Sequence, residues 1–181
     1  MEGEVEFKVH GVDKTCKTWY KVFGDIKASS QRPLVVLHGG PGVVHNYLLP
    51  LADLATSHSI PVVFYDQLGN GKSTHLPEKN GDTSFWTEQL FIVQLESLLD
   101  HLGVQDGFDL LGHSWGGMLG ARFATTHPVG LKRLVIADSP ASMKLWVEAA
   151  NRLRSQLPPD VQVSPSLRDL CASGHQAHLI T

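Results

Sequence analysis

Two cysteines in 181 residues, Cys16 and Cys171, stand too far apart in sequence to form a CxxC knuckle or a disulfide framework, and both are expected as reduced thiols. Long apolar runs are missing as well. None approaches the ~20 residues that a membrane-spanning helix needs. The N-terminal stretch MEGEVEFKVHG carries acidic residues where a signal peptide carries basic ones, and it has no apolar core segment. The expectation is a soluble, cytoplasmic chain with no membrane partner. Charge of one sign is also lacking: 15 Lys and Arg against 18 Asp and Glu give a net charge of −3, which excludes the basic footprint of a nucleic-acid binder. What remains is an ordinary globular balance, 42% hydrophobic and 18% charged, in a chain of one domain's length. There is no internal repeat, and oligomeric state is left open.

The chain opens on two short alternating stretches, Val5 to Val9 and Thr15 to Val22, joined by His10-Gly11-Val12-Asp13, which reads as an antiparallel hairpin. From Leu34 the pattern changes. Leu34 to Leu37, Val62 to Tyr65, Phe108 to Leu111 and Leu134 to Ala137 are short apolar runs without strict alternation, as parallel strands buried on both faces require. Helical stretches separate them: Tyr47 to Ala55, the amphipathic Phe85 to Leu102, and Trp115 to Thr126, which ends at His127-Pro128. Strand alternating with helix predicts an α/β fold with a mostly parallel sheet behind an N-terminal antiparallel hairpin. After Asp138 the alternation stops. Ser142 to Leu157 reads as one more helix, with Leu145, Val147, Leu153 and Leu157 among its apolar positions, and 161–181 as an irregular tail.

The strongest chemical signal is Gly112-His113-Ser114-Trp115-Gly116-Gly117, a GxSxG set between a buried strand and a helix. A serine lifted off the sheet on so tight a turn leaves no room for neighbouring side chains, which explains Gly112 and Gly116 beside it. The first N–H of the new helix, that of Trp115, then faces the place where an acyl oxyanion forms, with the helix dipole behind it. His38-Gly39-Gly40-Pro41-Gly42, directly after Leu34 to Leu37, fits the loop that supplies the second donor, and Gly40 is the expected residue. Asp66-Gln67-Leu68-Gly69-Asn70-Gly71-Lys72-Ser73 ends like a phosphate-binding loop but has Asp66 where such a loop begins with glycine, and no helix pattern follows Ser73.

In this order and spacing, HGGPG, DQLGNGKS and GHSWGG resemble the prolyl aminopeptidase (proline iminopeptidase) family of α/β-hydrolases. The resemblance covers about residues 30 to 140. It implies Ser114 as nucleophile, Gly40 and Trp115 as oxyanion donors, and removal of an N-terminal amino acid, often proline, from a small peptide or an aminoacyl amide or ester. No metal or cofactor is implied. Hydrolases of this fold that act on halides or epoxides place an aspartate at the elbow, so a serine there points to acyl transfer. The family continues past the strand at Leu134 to Ala137 into a helical cap and then to the triad's Asp and His. By that resemblance residues 1–140 form the N-terminal part of the hydrolase core, 141–160 begin the cap and 161–181 depart from the family. The sheet is then incomplete on its C-terminal side, the acid and base are absent, and the chain alone is expected to be inactive.

Local substitutes for the missing pair are poor. Asp138, at a strand end, is expected to bond its own loop, His38 to brace its loop, His113 to point away from the serine, and His127 to cap its helix. Cys171, His175 and His178 form a C-x3-H-x2-H pattern in the tail that an unpatterned segment produces by chance. Trp19, Trp86 and Trp146 read as packing aromatics, and Glu88 and Glu96 as a solvated helix face. Two other functional readings stand beside the aminopeptidase: a non-catalytic truncated remnant, and a small-molecule esterase or amidase of secondary metabolism.

Overall fold

The computed structural model describes residues 1–40 and 42–162. They form a six-stranded sheet in the order β1-β2-β4-β3-β5-β6. Strands β1 (Glu2–Phe7) and β2 (Cys16–Phe23) make the antiparallel hairpin, and β2 joins antiparallel to β4 (Val62–Tyr65). The remaining pairs, β4 with β3 (Leu34–Leu37), β3 with β5 (Phe108–His113) and β5 with β6 (Leu131–Ala137), are all parallel. Both β3 and β4 are buried at every position, which is why each reads as an unbroken apolar run. The first strand lies earlier than its alternation suggests and the second one residue later, because cross-strand pairing, from Glu2 with Lys21 to Phe7 with Cys16, sets where each starts and stops.

Two apolar layers cover the sheet. On one face Val35, Leu37, Val63 and Leu110 pack with Leu95, Leu98 and Leu99 of α2 (Glu88–Leu102) and with Leu119 and Phe123 of α3 (Trp115–Ala124). Helix α2 is begun by the Thr87 side chain, which accepts the Leu90 N–H, and ended by Gly103 in the left-handed conformation. On the other face Leu34, Val36, Val62 and Phe64 meet Leu48, Leu51 and Leu54. The segment carrying those residues differs from the expected α-helix: His45–Ala52 is a 3-10 helix containing Pro50, followed by the short α1 (Asp53–Ser57). Proline has no N–H to donate, so a regular α-helical ladder is not available through that stretch.

Helix α4 (Met143–Arg154) is started by Ser142, whose hydroxyl accepts the Leu145 N–H. None of its residues is buried, and Leu145, Trp146, Val147 and Leu153 are exposed. Trp146 is therefore not the packing aromatic that its type suggests, whereas Trp19 is buried and Trp86 stacks on Phe91. The four-residue α5 (Pro159–Gln162) follows. The pattern at Cys171, His175 and His178 and nearly all of the irregular tail lie outside the described residues.

Candidate active site

In the sheet order β3 is flanked by β4 on one side and β5 on the other, so the chain leaves β3 in one direction and crosses back in the other. The crevice at the carboxyl ends of such strands is where open α/β sheets bind ligands. Ser114 leaves the end of β5 at φ 54° and ψ −121°, a strained conformation for a residue with a side chain. Its N–H donates to the Ala137 carbonyl at 2.9 Å, and its carbonyl accepts from Gly117, Met118 and the Ser139 hydroxyl. These contacts hold the turn while leaving Oγ without a hydrogen bond to any described residue. Glycine is required on both sides. A Cβ on Gly112 would meet the Gly116 carbonyl, and one on Gly116 would meet the Leu37 carbonyl, so α3 packs directly on β3 and its own turn.

The loop after β3 is fixed by side chains from three places. His38 is buried; its Nδ1–H donates to the Gly39 carbonyl at 2.7 Å and its Nε2 accepts the Gln67 N–H at 2.9 Å. This pair of bonds sets one neutral tautomer, and burial lowers the imidazole's pKa from its usual value. Gln67 returns a bond from Nε2 to the His38 carbonyl at 2.8 Å and accepts the Trp115 indole N–H at 2.9 Å. Asn70 accepts the Gly42 N–H at 3.1 Å. The DQLGNGKS segment is thus a brace: Asp66 accepts from His45 and from the Lys72 N–H, and Ser73 bonds the Asp66 carbonyl and the Trp19 N–H. Behind it the fully buried Gln94 accepts the Leu68 N–H and donates to Thr18.

Three of the residues singled out in the sequence meet at the ends of β3 and β5: Ser114, Gly40 and Trp115. Gly39 donates its N–H to Tyr47 at 2.7 Å, whereas the N–H groups of Gly40 and Trp115 have no acceptor among the described residues. Gly40 sits at φ 135°, a conformation that favours glycine. His113 turns toward Tyr47, with Nδ1 2.8 Å from the hydroxyl; with the imidazole proton on Nε2, the side that faces Asp138, the hydroxyl is the donor. Asp138 does not bond its own loop; it lies at φ 47° with its carboxylate 3.8 Å from His113 Nε2 and 88% exposed. His127, also at positive φ, ends the α3 segment by donating its N–H to Ala124. Glu88 is paired with Arg122 at 3.2 Å on the surface. Among the described residues there is no group of three or more His, Cys, Asp or Glu placed to hold a metal ion, and no helix long and apolar enough to cross a membrane.

Sequence reasoning missed Tyr47, Gln67, Asn70 and Gln94. Gln67 carried a signal, since a polar residue two steps past the carboxyl end of a buried parallel strand lies at the crevice. Tyr47 and Gln94 carried none, because their partners lie on other elements.

Residues 32–163 match the family model described as alpha/beta hydrolase fold, and the chain belongs to that family. It is similar to the proline iminopeptidase of Lactiplantibacillus plantarum, 38% identical over 138 residues that make up 76% of this chain and 46% of the relative. Among solved structures, VinJ superimposes with a TM-score of 0.81 at 52% identity, covering 90% of this chain and 51% of that one. The proline iminopeptidase of Mycobacterium smegmatis gives 0.73 at 43% identity, covering 86% and 50%. The chain spans about half the length of the curated relatives it matches.

Proposed function

We propose that Ser114 is the nucleophile of an acyl-transfer hydrolase that removes an N-terminal residue, of the proline type, from small peptides or aminoacyl amides and esters. The observation that carries the reading is the pairing of a strained Ser114 with two N–H groups, at Gly40 and Trp115, where Oγ and both N–H groups have no hydrogen-bond partner among the described residues. Oγ attacks the acyl carbon, the carbonyl oxygen takes negative charge, and the two N–H groups stabilise it before the amine leaves. Water then releases the acyl group from Oγ. No cofactor takes part. The proline-type substrate is inferred from the names of the relatives.

The attack needs a base, and no described histidine bonds Ser114 Oγ. Loss of the base in a serine triad lowers turnover by about 10⁶. The 181-residue chain is therefore expected to hydrolyse proline p-nitroanilide no faster than its Ser114→Ala variant. Joined to the C-terminal half of the L. plantarum relative, it should gain turnover that Ser114→Ala abolishes and chelators leave intact. Turnover that survives Ser114→Ala in the joined protein would exclude the acyl-enzyme.

A further inference from the structure

The glycine loop has no side chains of its own with which to hold its peptide planes, so neighbouring groups must do it. The plane between Gly39 and Gly40 is held by His38 Nδ1–H on the Gly39 carbonyl at 2.7 Å, and that plane carries the free Gly40 N–H. The plane before it is held on its carbonyl side by Gln67 at 2.8 Å and on its N–H side by Tyr47 at 2.7 Å. Tyr47 differs from the other braces in one respect. Its hydroxyl accepts from the loop and donates to His113, the residue immediately before Ser114, at 2.8 Å. A Cβ added at Gly39 would lie 3.0 Å from the Tyr47 hydroxyl, 3.2 Å from Ser114 Cβ and 3.3 Å from His113 Nδ1, so loop, bridge and elbow enclose one small space.

We propose that Tyr47 is a positioning residue that ties the oxyanion loop to the nucleophile turn through its single hydroxyl, with His113 as the anchor on the Ser114 side. The proposal rests on the reading of Ser114 and Gly40 given above. The hydroxyl's one proton is committed to His113 Nδ1 while its lone pair receives Gly39, so the loop on β3 and the turn on β5 are fixed to each other rather than only to their strands. A phenol keeps its proton at neutral pH, and partial burial of this one, 43% exposed, raises its pKa further. The gap between the donors at Gly40 and Trp115 then has one value. Misplacement of such donors by about 1 Å lowers the bond-forming rate roughly 100-fold without weakening encounter with the ligand.

The test uses the 181-residue chain with an aryl fluorophosphonate, measuring adduct mass at Ser114 and separating the binding constant from the bond-forming rate. Tyr47→Phe keeps the ring and is expected to lower the bond-forming rate by about 10- to 100-fold with the binding constant unchanged. His113→Leu should match it, and His113→Gln, which restores an acceptor, should recover most of the rate. A loss of folded protein would lower the labelled fraction but not the rate constant. Amide exchange by NMR supplies a second readout that does not need a reactive serine: the Gly39 N–H, which Tyr47 accepts, should exchange at least about tenfold faster in Tyr47→Phe, with β3 and β5 unchanged. If the unsubstituted chain labels no faster than Ser114→Ala, the missing base accounts for it, the joined protein decides the nucleophile reading, and exchange alone decides the bridge. A bond-forming rate or, in that case, Gly39 exchange in Tyr47→Phe equal to that of the unsubstituted chain overturns the proposal.

Discussion

The indole N–H of Trp115 donates to Gln67 Oε1 at 2.9 Å, and the same side-chain amide donates from Nε2 to the His38 carbonyl at 2.8 Å. One buried glutamine therefore joins the nucleophile helix to the glycine loop. Gln67→Leu fills the space but leaves a buried indole N–H and a buried carbonyl unpaired. Each costs about 1–3 kcal/mol, so the variant should lose roughly 2–6 kcal/mol of stability. Urea denaturation measures it, and a loss under about 1 kcal/mol would mean that water replaces the glutamine.

The His38 imidazole makes a pH prediction. Burial depresses its pKa in the folded chain below the unfolded value of about 6.5, so the folded state binds fewer protons between the two values. Its contribution to stability is whole above about pH 6.5 and declines as pH falls toward the folded pKa. Protonation at Nε2 also turns an acceptor into a donor facing the Gln67 N–H. The urea midpoint should fall between pH 7.5 and 5, and His38→Asn should show a smaller drop from a lower starting point. Equal slopes for the two proteins would assign the pH dependence to other groups.

The sequence exposed the parts of this fold that depend on single elements. Strands β3 and β4 are legible to the residue because burial on both faces removes polar positions, and the Ser114 turn is legible because glycine is obligatory on either side of it. Bonds that cross the fold were not legible. Gln94 reaches Thr18 across 76 residues, and Tyr47 reaches His113 across 66; no periodicity encodes either contact. Helix α4 shows the converse case, in which an amphipathic pattern is read correctly as helix while its apolar stripe packs on nothing among the described residues.

Gly116 should tolerate no side chain. Its Cβ would enter the Leu37 carbonyl, which belongs to the backbone of a central strand and has no rotamer to move into. Overpacking typically costs about 1–3 kcal/mol, and a backbone contact this close is expected at or above the top of that range. Gly107→Ala is the control, since its nearest neighbour would be Arg32 Cδ at 3.9 Å. Thermal melts should show Gly116→Ala unfolded or strongly destabilised and Gly107→Ala near the unsubstituted chain. A Gly116→Ala protein within about 1 kcal/mol would require β3 and α3 to move apart.

Among the described residues β6 pairs with β5 on one side and with nothing on the other. Its last four residues, Leu134-Val135-Ile136-Ala137, carry no proline and no charge, and Val135 and Ile136 are 49% and 51% exposed. A long apolar edge of that kind is a template for pairing with another chain, and natural edges are blunted by charge, proline or bulges that are missing from these four positions. The exposed apolar side chains of α4 add to the surface that water must solvate. The purified chain is therefore expected to self-associate in size-exclusion chromatography, more so at higher concentration, and to melt over a broad range. A lysine at the edge should oppose this without touching the core. Val135→Lys should shift the elution toward monomer while leaving the melting midpoint within a few degrees. If the unsubstituted chain elutes as a monomer with a sharp cooperative melt, the edge is covered in solution. If instead Val135→Lys stays associated, the contact lies on α4 and not on the strand.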